Sequence, residues 1–124
     1  MLGASDKEER YSFQALMLLK EFGHTPIPVH PNLRSIVGIN CFASLGEVKD
    51  FYLNTTTPTP IDTVTVYVNP SISTNLVQSI RELRPKRVII NPGTENPLLK
   101  QGLQEAGIEV IEACTLVLLK TGQY

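Results

Sequence analysis

Apolar residues along this chain fall into short blocks whose spacing is typical of strands. The clearest strand is predicted over residues 61–68, where positions 63 to 68 are almost all β-branched or aromatic. Shorter strands are predicted at residues 88–90 and 108–111. A further strand over residues 25–29 contains prolines, which favour an edge or the start of a strand.

Helical spacing fills the intervals between these strands. The first helix is predicted over residues 10–22 and is closed by Gly23. Two further helices are predicted to begin at Asn69-Pro70 and Asn96-Pro97, because Asn caps a helix and Pro suits its first position. Apolar residues follow these starts at helical spacing: Ile72, Leu76, Ile80 and Leu83, then Leu99, Leu103 and Ala106. Residues 116–119 fit either a helix or a strand.

This alternation predicts an α/β fold, because helical connections of ten or more residues join parallel strands. We expect a Rossmann-like, doubly wound and mostly parallel sheet of about five strands flanked by helices, with residues 1–124 forming a single domain. Met1 and Leu2 are too few for a full first strand, so this strand is clipped or the numbering begins inside a longer chain. Residues 36–48 are predicted to be irregular with at most one helical turn, and residues 54–60 a surface loop.

Composition narrows the classes of function. The net charge is −1 and no block of like charge occurs, which argues against a nucleic-acid or membrane surface. Only Cys41 and Cys114 are present, and no spanning segment or signal peptide is evident, so a reducing, cytoplasmic location is the default expectation. The residue spacing offers no metal site.

Candidate chemistry lies at the carboxyl ends of the predicted strands, where ligands bind in such sheets. All five ends are small, polar or proline-containing, and none carries a dense set of acids, bases or nucleophiles. This pattern indicates a pocket that binds through backbone groups and shape. The Gly3-Ala4-Ser5 turn ahead of a helix suits a phosphate, although an ordinary strand-to-helix turn explains these residues equally well. The turn is not G-x-G-x-x-G, and no acidic residue follows the second strand, which argues against a dinucleotide dehydrogenase.

The motifs at these ends, in order, are L-G-A-S…R-Y-S, P-V-H-P, V-x-V-N-P, N-P-G-T-E-N and A-C-T. Together they resemble the small CoA-binding domain family, which is similar to the nucleotide-binding part of the succinyl-CoA synthetase alpha subunit. The resemblance covers essentially the whole chain and implies a Rossmann-like fold that binds coenzyme A at the strand ends.

The resemblance also implies roles for residues. Three sets match the family's ligand-binding positions, and Cys114 matches a cysteine of the family. The phosphate turn matches Gly3, Ala4, Ser5, Arg10 and Ser12; the adenosine side matches Val29, His30 and Pro31; and the closing loops match Val68, Asn69, Pro70, Asn91, Pro92, Gly93, Thr94 and Glu95. The family more often has Asn in place of His30 and Gln in place of Asn91. The phosphohistidine and second subunit of the synthetase have no counterpart here, so ligase activity is not carried over.

Several functions stay open from the sequence. The first is a non-catalytic binder of coenzyme A or acyl-CoA. The second is an enzyme of acyl-CoA or redox chemistry that uses Cys114 as a thiol, although a small buried residue explains this cysteine as well. The third is a binder of another nucleotide such as NAD(P), and the fourth is a protein-interaction module with a vestigial pocket.

Overall fold

The computed structural model describes residues 1–124 and contains five short strands and six helices. In chain order they are α1 (Tyr11–Glu21), β1 (Ser35–Ile36), β2 (Ile39–Asn40), α2 (Leu45–Tyr52), β3 (Thr63–Val66), α3 (Pro70–Ser73), α4 (Val77–Leu83), β4 (Arg87–Ile90), α5 (Pro97–Glu105), β5 (Glu109–Glu112) and α6 (Thr115–Lys120). A 3₁₀ turn over Thr74–Leu76 joins α3 to α4, so residues 70–83 are helical almost throughout.

The central sheet consists of β3, β4 and β5, which lie side by side and are all parallel. Beyond β3, Leu2 makes single parallel bridges to Val66 and to Val29, and Val29 makes one to Phe42. The sequence analysis predicted about five parallel strands, and three of them, β3 to β5, form a continuous parallel sheet. The first two predicted strands, at Leu2 and Val29, make only isolated bridges. Met1 and Leu2 offer little backbone for pairing, and Pro26 and Pro28 have no N–H to donate to a ladder.

Residues 36–48 are more regular than the sequence analysis predicted. Strands β1 and β2 form a small antiparallel pair, and α2 follows with two full turns. Ser44 caps α2 by accepting a hydrogen bond from the Glu47 N–H (3.2 Å), while Glu47 accepts one from the Ala43 N–H (2.7 Å). This reciprocal S-x-x-E capping box is readable in the sequence and would have predicted the helix.

Helices cover both faces of the sheet because side chains alternate along each strand. Val64, Val66, Val88 and Ile90 point to one face, where they pack with buried residues of α2, α4 and α5. The opposite face carries a second cluster built mainly from α1 and α6, with Met1 and Ala4. The predicted α/β class with helices on the faces of a parallel sheet is therefore confirmed.

The predicted helix starts are also confirmed. Asn69 and Asn96 each cap the following helix through the side-chain oxygen, and a proline occupies the first turn of each. The run at residues 116–119, which the sequence left open, lies in α6. None of the helices has the length and apolar character needed to cross a membrane.

Candidate functional site at the carboxyl edge of the sheet

Leu2 lies where the strand order reverses. The chain passes from Leu2 outward to Val29 on one side, then returns to β3 on the other side of Leu2. In parallel sheets the crevice outside the carboxyl ends at such a reversal is the usual ligand site. The residues that follow Leu2, Val29 and Val66 therefore meet at one edge, and hydrogen bonds link this edge onward to the ends of β4 and β5.

Gly3 is required by close packing at this edge. Its φ is +77°, and a Cβ atom placed there would lie 2.8 Å from both the carbonyl carbon and oxygen of Tyr67. A side chain would therefore collide with the backbone that follows β3. Gly3 brings the turn against that strand, and the next residue, Ala4, donates its N–H to the Val29 carbonyl (3.3 Å).

The amino end of α1 presents unused donors. Arg10 occupies the capping position without a side-chain hydrogen bond, and the first turn contains no acidic residue. The first N–H bonded back to the cap is that of Gln14, which donates to the Arg10 carbonyl (3.1 Å). The N–H groups of Tyr11, Ser12 and Phe13 thus have no partner in the protein. Free donors and the positive end of the helix dipole suit an anion such as a phosphate.

Polar side chains beside this helix end are available to the same anion. Ser5 Oγ accepts the Lys7 N–H (3.1 Å), so its hydroxyl hydrogen is free to donate. Arg10 is exposed and takes part in none of the three salt bridges of the molecule. Ser12 is buried within the first turn of the helix.

His30 and its neighbours follow the bridge at Val29. Val29 is buried and Pro31 is exposed. The His30 ring accepts the Asn32 N–H at Nδ1 (3.0 Å), which places its proton on Nε2. The backbone N–H of His30 donates to the Phe42 carbonyl (2.9 Å). The ring is thus held by the turn, with one donor left for a ligand.

Asn91 is the most deeply buried of the predicted site residues, with 1% of its surface exposed. Its Nδ2 donates to Thr65 Oγ1 (2.7 Å) and to the Val66 carbonyl (2.9 Å). Its Oδ1 accepts the Thr115 N–H (2.9 Å). The hydroxyls of Thr65 and Thr115 lie 2.8 Å apart and share one more hydrogen bond. Asn91 therefore joins the carboxyl ends of β3 and β4 to the start of α6.

The loop after β4 presents a mixture of buried and exposed residues. Thr94 is buried and its Oγ1 donates to the Asn91 carbonyl (2.7 Å). The side chain of Glu95 accepts the Gly93 N–H (2.9 Å), which holds the loop in a tight turn. Pro92 and Gly93 are exposed at its tip. The side chains of Asn91 and Thr94 thus serve the protein's own hydrogen bonds, and the exposed tip is what faces solvent.

Three more predicted residues complete the edge. Asn69 is exposed, and its side chain accepts the Ile72 N–H (3.2 Å) to cap α3 while Pro70 opens the helix. Val68 is half-buried and packs against the larger apolar cluster. Cys114 is half-buried, carries a free thiol and stands immediately before α6.

Two residues that shape the edge were not identified as part of the site from the sequence. Asn96 was expected only as a cap, yet its Nδ2 also donates to Ser73 Oγ (2.8 Å) and Thr74 Oγ1 (2.9 Å), which ties α5 to the helix after β3. The Tyr67 hydroxyl is buried without a hydrogen-bond partner. Burial is the main reason that the pKa of Tyr67 is raised to about 12. In the sequence, Thr63, Thr65 and Tyr67 alternate with valines, and this pattern indicates that one face of the strand is partly polar.

No group of three or more His, Cys, Asp or Glu side chains is arranged to hold a metal ion. A cavity of about 540 Å³ lies at the opposite edge of the sheet, around Met1 and the amino end of β3. The carboxyl edge presents backbone donors and short side chains.

A parallel sheet with helices on both faces and a reversal of strand order defines a Rossmann-like α/β protein. A family model described as "CoA binding domain" matches residues 1–120. The chain therefore belongs to the CoA-binding domain family.

Several solved structures share this fold. A crystal structure of an uncharacterized protein is 37% identical, with a TM-score of 0.83, and the alignment covers 99% of this chain and 93% of that one. A structure from Thermus thermophilus, described as cell-free ID.343, is 27% identical with a TM-score of 0.81 and covers 99% and 87% of the two chains. A protein described as redesigned for binding is 25% identical with a TM-score of 0.84, covering 99% and 82%.

Proposed function

We propose that residues 1–124 form one unit that binds coenzyme A or acyl-CoA at the carboxyl edge of the sheet and performs no chemistry on it. The observation that carries this proposal is the family match over residues 1–120. The uncapped start of α1 supports it, because free N–H groups there fit the phosphates of coenzyme A.

The proposed placement assigns each part of the ligand to a set of edge residues. The phosphates lie at Gly3, Ala4 and Ser5 and at the start of α1, with Arg10 as the charged partner. The adenosine lies beside Val29, His30 and Pro31. The pantetheine arm crosses the loops after β3 and β4 and places its sulfur near Cys114.

The side chains of Asn91 and Thr94 enter this proposal indirectly. Because both are buried in the protein's own hydrogen bonds, they hold the loop after β4 in place. Contact with the ligand then falls to the exposed Pro92 and Gly93. Asn69 and Glu95 likewise form their turns first. The Asn69 Oδ1 accepts from both Ser71 Oγ and the Ile72 N–H, so a ligand bond to Asn69 would use its Nδ2 donors, whereas Glu95 keeps carboxylate lone pairs that the Gly93 N–H does not use.

The non-catalytic character is proposed because the edge offers no activated nucleophile. Nucleophilic catalysis needs a base within hydrogen-bond reach of the attacking group. Cys114 has no hydrogen-bonded histidine or carboxylate, and the Nδ1 atom of His30 is already engaged by the Asn32 N–H. A thiol-dependent activity through Cys114 is the alternative that this proposal competes with.

The first experiment is a thermal denaturation series with coenzyme A, dephospho-CoA and NADP. A ligand at ~100 times its dissociation constant adds about 2.7 kcal/mol of stability, which shifts the midpoint by several degrees in a domain of this size. We expect the largest shift with coenzyme A. A larger shift with NADP would favour the other nucleotide class, and no shift with any nucleotide would refute the proposal.

A charge substitution tests the placement of the phosphates. Arg10→Gln removes the charged partner and should weaken coenzyme A binding about tenfold, measured by calorimetric titration. Arg81→Gln is the matched control, because Arg81 is an exposed arginine in α4 with no salt bridge. Equal affinity in the Arg10 variant and the control would place the phosphates elsewhere.

A further inference from the structure

Coenzyme A carries a phosphate that the proposed site has not yet matched with a cation of its own. The pyrophosphate suits the turn at residues 3–5 and the free N–H groups at the start of α1, beside Arg10. The remaining phosphate is attached to C3′ of the ribose, on the adenosine side of the molecule. The proposed placement puts that side beside residues 29–31, so a cation is needed there.

Most cations of the chain are paired or lie far from this position. The chain has 11 lysines and arginines. Some pair with carboxylates, and others lie at the amino edge of the sheet, in the last turn of a helix, just after it or at the start of a strand. The paired ones are Lys49, Lys86 and Lys100, and those at the amino edge are Lys20, Arg81, Arg84, Arg87 and Lys120. Lys7, Arg10 and Arg34 remain, and the first two precede α1.

Arg34 is the cation on the adenosine side. It is the only lysine or arginine among residues 21–48, and residues 22–46 contain no aspartate or glutamate. Arg34 is exposed and takes part in no salt bridge. Its guanidinium is therefore available to an anion.

Hydrogen bonds hold Arg34 close to the turn at His30. The His30 N–H donates to the Phe42 carbonyl (2.9 Å), and the N–H of the residue before it, Cys41, donates to the Arg34 carbonyl (2.9 Å). His30 and Arg34 are thus bonded to two consecutive residues of one segment. The turn between them is closed by the Asn32 N–H, which donates to His30 Nδ1 (3.0 Å).

A tight hairpin fixes the register in which Arg34 is held. Residues 37 and 38 form its two-residue turn, and both have a positive φ, +49° and +76°. Strands β1 and β2 pair in the register that this turn sets, with Ile36 opposite Ile39. Continuing the register places Arg34 opposite Cys41, in agreement with the hydrogen bond between them.

The face of the hairpin that carries Arg34 is turned toward the phosphate turn. Side chains two positions apart along a strand share a face, so Arg34 lies on the same side as Ile36. Ile36 is buried in the cluster that contains Ala4 and Leu16, and Cys41 packs against the same cluster. Because Ala4 belongs to the phosphate turn, the exposed Arg34 borders the crevice between the hairpin and that turn.

We propose that Arg34 binds the ribose 3′-phosphate of coenzyme A and that this contact makes the edge prefer coenzyme A to dephospho-CoA, an inference that rests on the proposed function. A guanidinium donates two parallel hydrogen bonds to a phosphate, and a phosphate monoester carries about two negative charges at pH 7. Dephospho-CoA, AMP and NAD have no 3′-phosphate and lack this contact.

The test compares coenzyme A with dephospho-CoA, which differ only in this phosphate, by calorimetric titration of the whole protein. We expect the wild-type protein to bind coenzyme A about tenfold more tightly than dephospho-CoA. Arg34→Gln should remove most of this preference by weakening coenzyme A binding alone. Arg34→Lys keeps the charge without the paired donors and should retain part of the preference.

Arg10→Gln is the matched control for the second phosphate position. Both ligands contain the pyrophosphate assigned to Arg10, so this variant should weaken both in the same proportion and keep the preference. Adenosine 3′,5′-bisphosphate and AMP repeat the comparison without the pantetheine arm. Because Arg34 is exposed, thermal unfolding of its variants should match that of the wild-type protein.

The possible outcomes separate this assignment from the proposed function. An unchanged preference in Arg34→Gln, including an equal weakening of both ligands, would overturn the assignment and leave the coenzyme A site standing. Equal affinity of the wild-type protein for the two ligands, or loss of the preference in Arg10→Gln instead, would also overturn it. A wild-type protein that binds neither ligand would refute the proposed function, and the assignment with it.

Discussion

At the scale of single residues, several residues of the carboxyl edge are committed to packing or hydrogen bonding within the protein. Gly3 has no side chain because the backbone of Tyr67 occupies that space. Asn91 satisfies three backbone or hydroxyl groups at once and is almost fully buried. The predicted binding motifs thus contain residues that build the edge, and in the proposed site the contacts with the ligand fall to their neighbours.

Gly3→Ala should destabilise the protein far more than the same change at Gly23. Both glycines have a positive φ, which costs alanine about 1 kcal/mol. An added Cβ at Gly23 meets nothing within 4 Å, whereas at Gly3 it meets backbone at 2.8 Å. We expect about 3 kcal/mol or more lost at Gly3. Urea unfolding of both variants measures the difference, and equal losses would contradict the close packing.

Tyr67 should make the protein less stable in alkali. Its pKa is raised from 10 to about 12, so the folded state holds the proton more tightly and this stabilisation is fully present below pH 10. It is lost as the pH rises from 10 through 12. Allowing for solvent screening of a half-buried ring, the loss is about 1–2 kcal/mol.

Tyr67→Phe should remove that part of the alkaline loss and leave stability at pH 7 unchanged or slightly higher, because the hydroxyl has no partner. Denaturant unfolding at pH 9, 10 and 11 provides the measurement. Tyr11→Phe, at an exposed tyrosine, is the matched control. An unchanged alkaline slope in the Tyr67 variant would show that this hydroxyl is not the group responsible.

At the scale of elements, the first turns of the helices contain both linked caps and exposed apolar residues. The asparagine caps of α3 and α5 are linked, because Asn96 also donates to Ser73 and Thr74. Tyr11, Ile72, Leu98 and Val117 are exposed large residues, and each lies within the first three residues of a helix that begins at the carboxyl edge. Because these helices begin where strands end, we expect these residues to form an apolar rim around the proposed coenzyme A site.

This rim should give acyl-CoA an advantage over coenzyme A, a prediction that depends on the proposed function. Each buried methylene contributes about 0.8 kcal/mol, so partial burial of four should tighten hexanoyl-CoA about tenfold over acetyl-CoA. Leu98→Ser should remove most of this gain. Val37→Ser is the control, because Val37 and Leu98 are both 64% exposed. Calorimetric titrations showing no dependence on chain length would exclude an acyl subsite at the rim.

Asn91→Ala tests whether the ends of β3, β4 and α6 are held together by one side chain. The change leaves the Thr115 N–H and the Thr65 hydroxyl short of a buried partner, which should cost about 3 kcal/mol. Asn75→Ala should stay within about 0.5 kcal/mol, because Asn75 is exposed and makes one long bond of 3.4 Å to Ser71. Similar losses in both variants would contradict the role of Asn91.

At the scale of the whole molecule, the two edges of the sheet offer different kinds of surface. The carboxyl edge has free helix donors, short polar side chains and an apolar rim, which fit a phosphate-bearing ligand with a flexible arm. The amino edge borders a cavity of about 540 Å³, and more than half of the residues that line it are apolar. The proposed coenzyme A site therefore uses one edge of the sheet, and this cavity lies at the other edge.

Local signals in the sequence were enough to predict most of the helices and strands. The helices starting at Asn69-Pro70 and Asn96-Pro97 and strands β3 to β5 follow from caps, prolines and periodic apolar residues, which act within a few positions of one another. The ordered motifs at the strand ends were also enough to predict the family. The S-x-x-E box that starts α2 is a local signal of the same kind.

The tertiary structure alone decided which residues at these ends meet each other and which backbone groups stay unpaired. Asn91 bonds to residues 24 to 26 positions away, and Thr65 meets Thr115 across 50 positions. Gly3 is likewise constrained by the backbone at Tyr67, which lies 64 positions later in the chain. No local pattern encodes such contacts, because they depend on the distance between segments after the sheet has assembled.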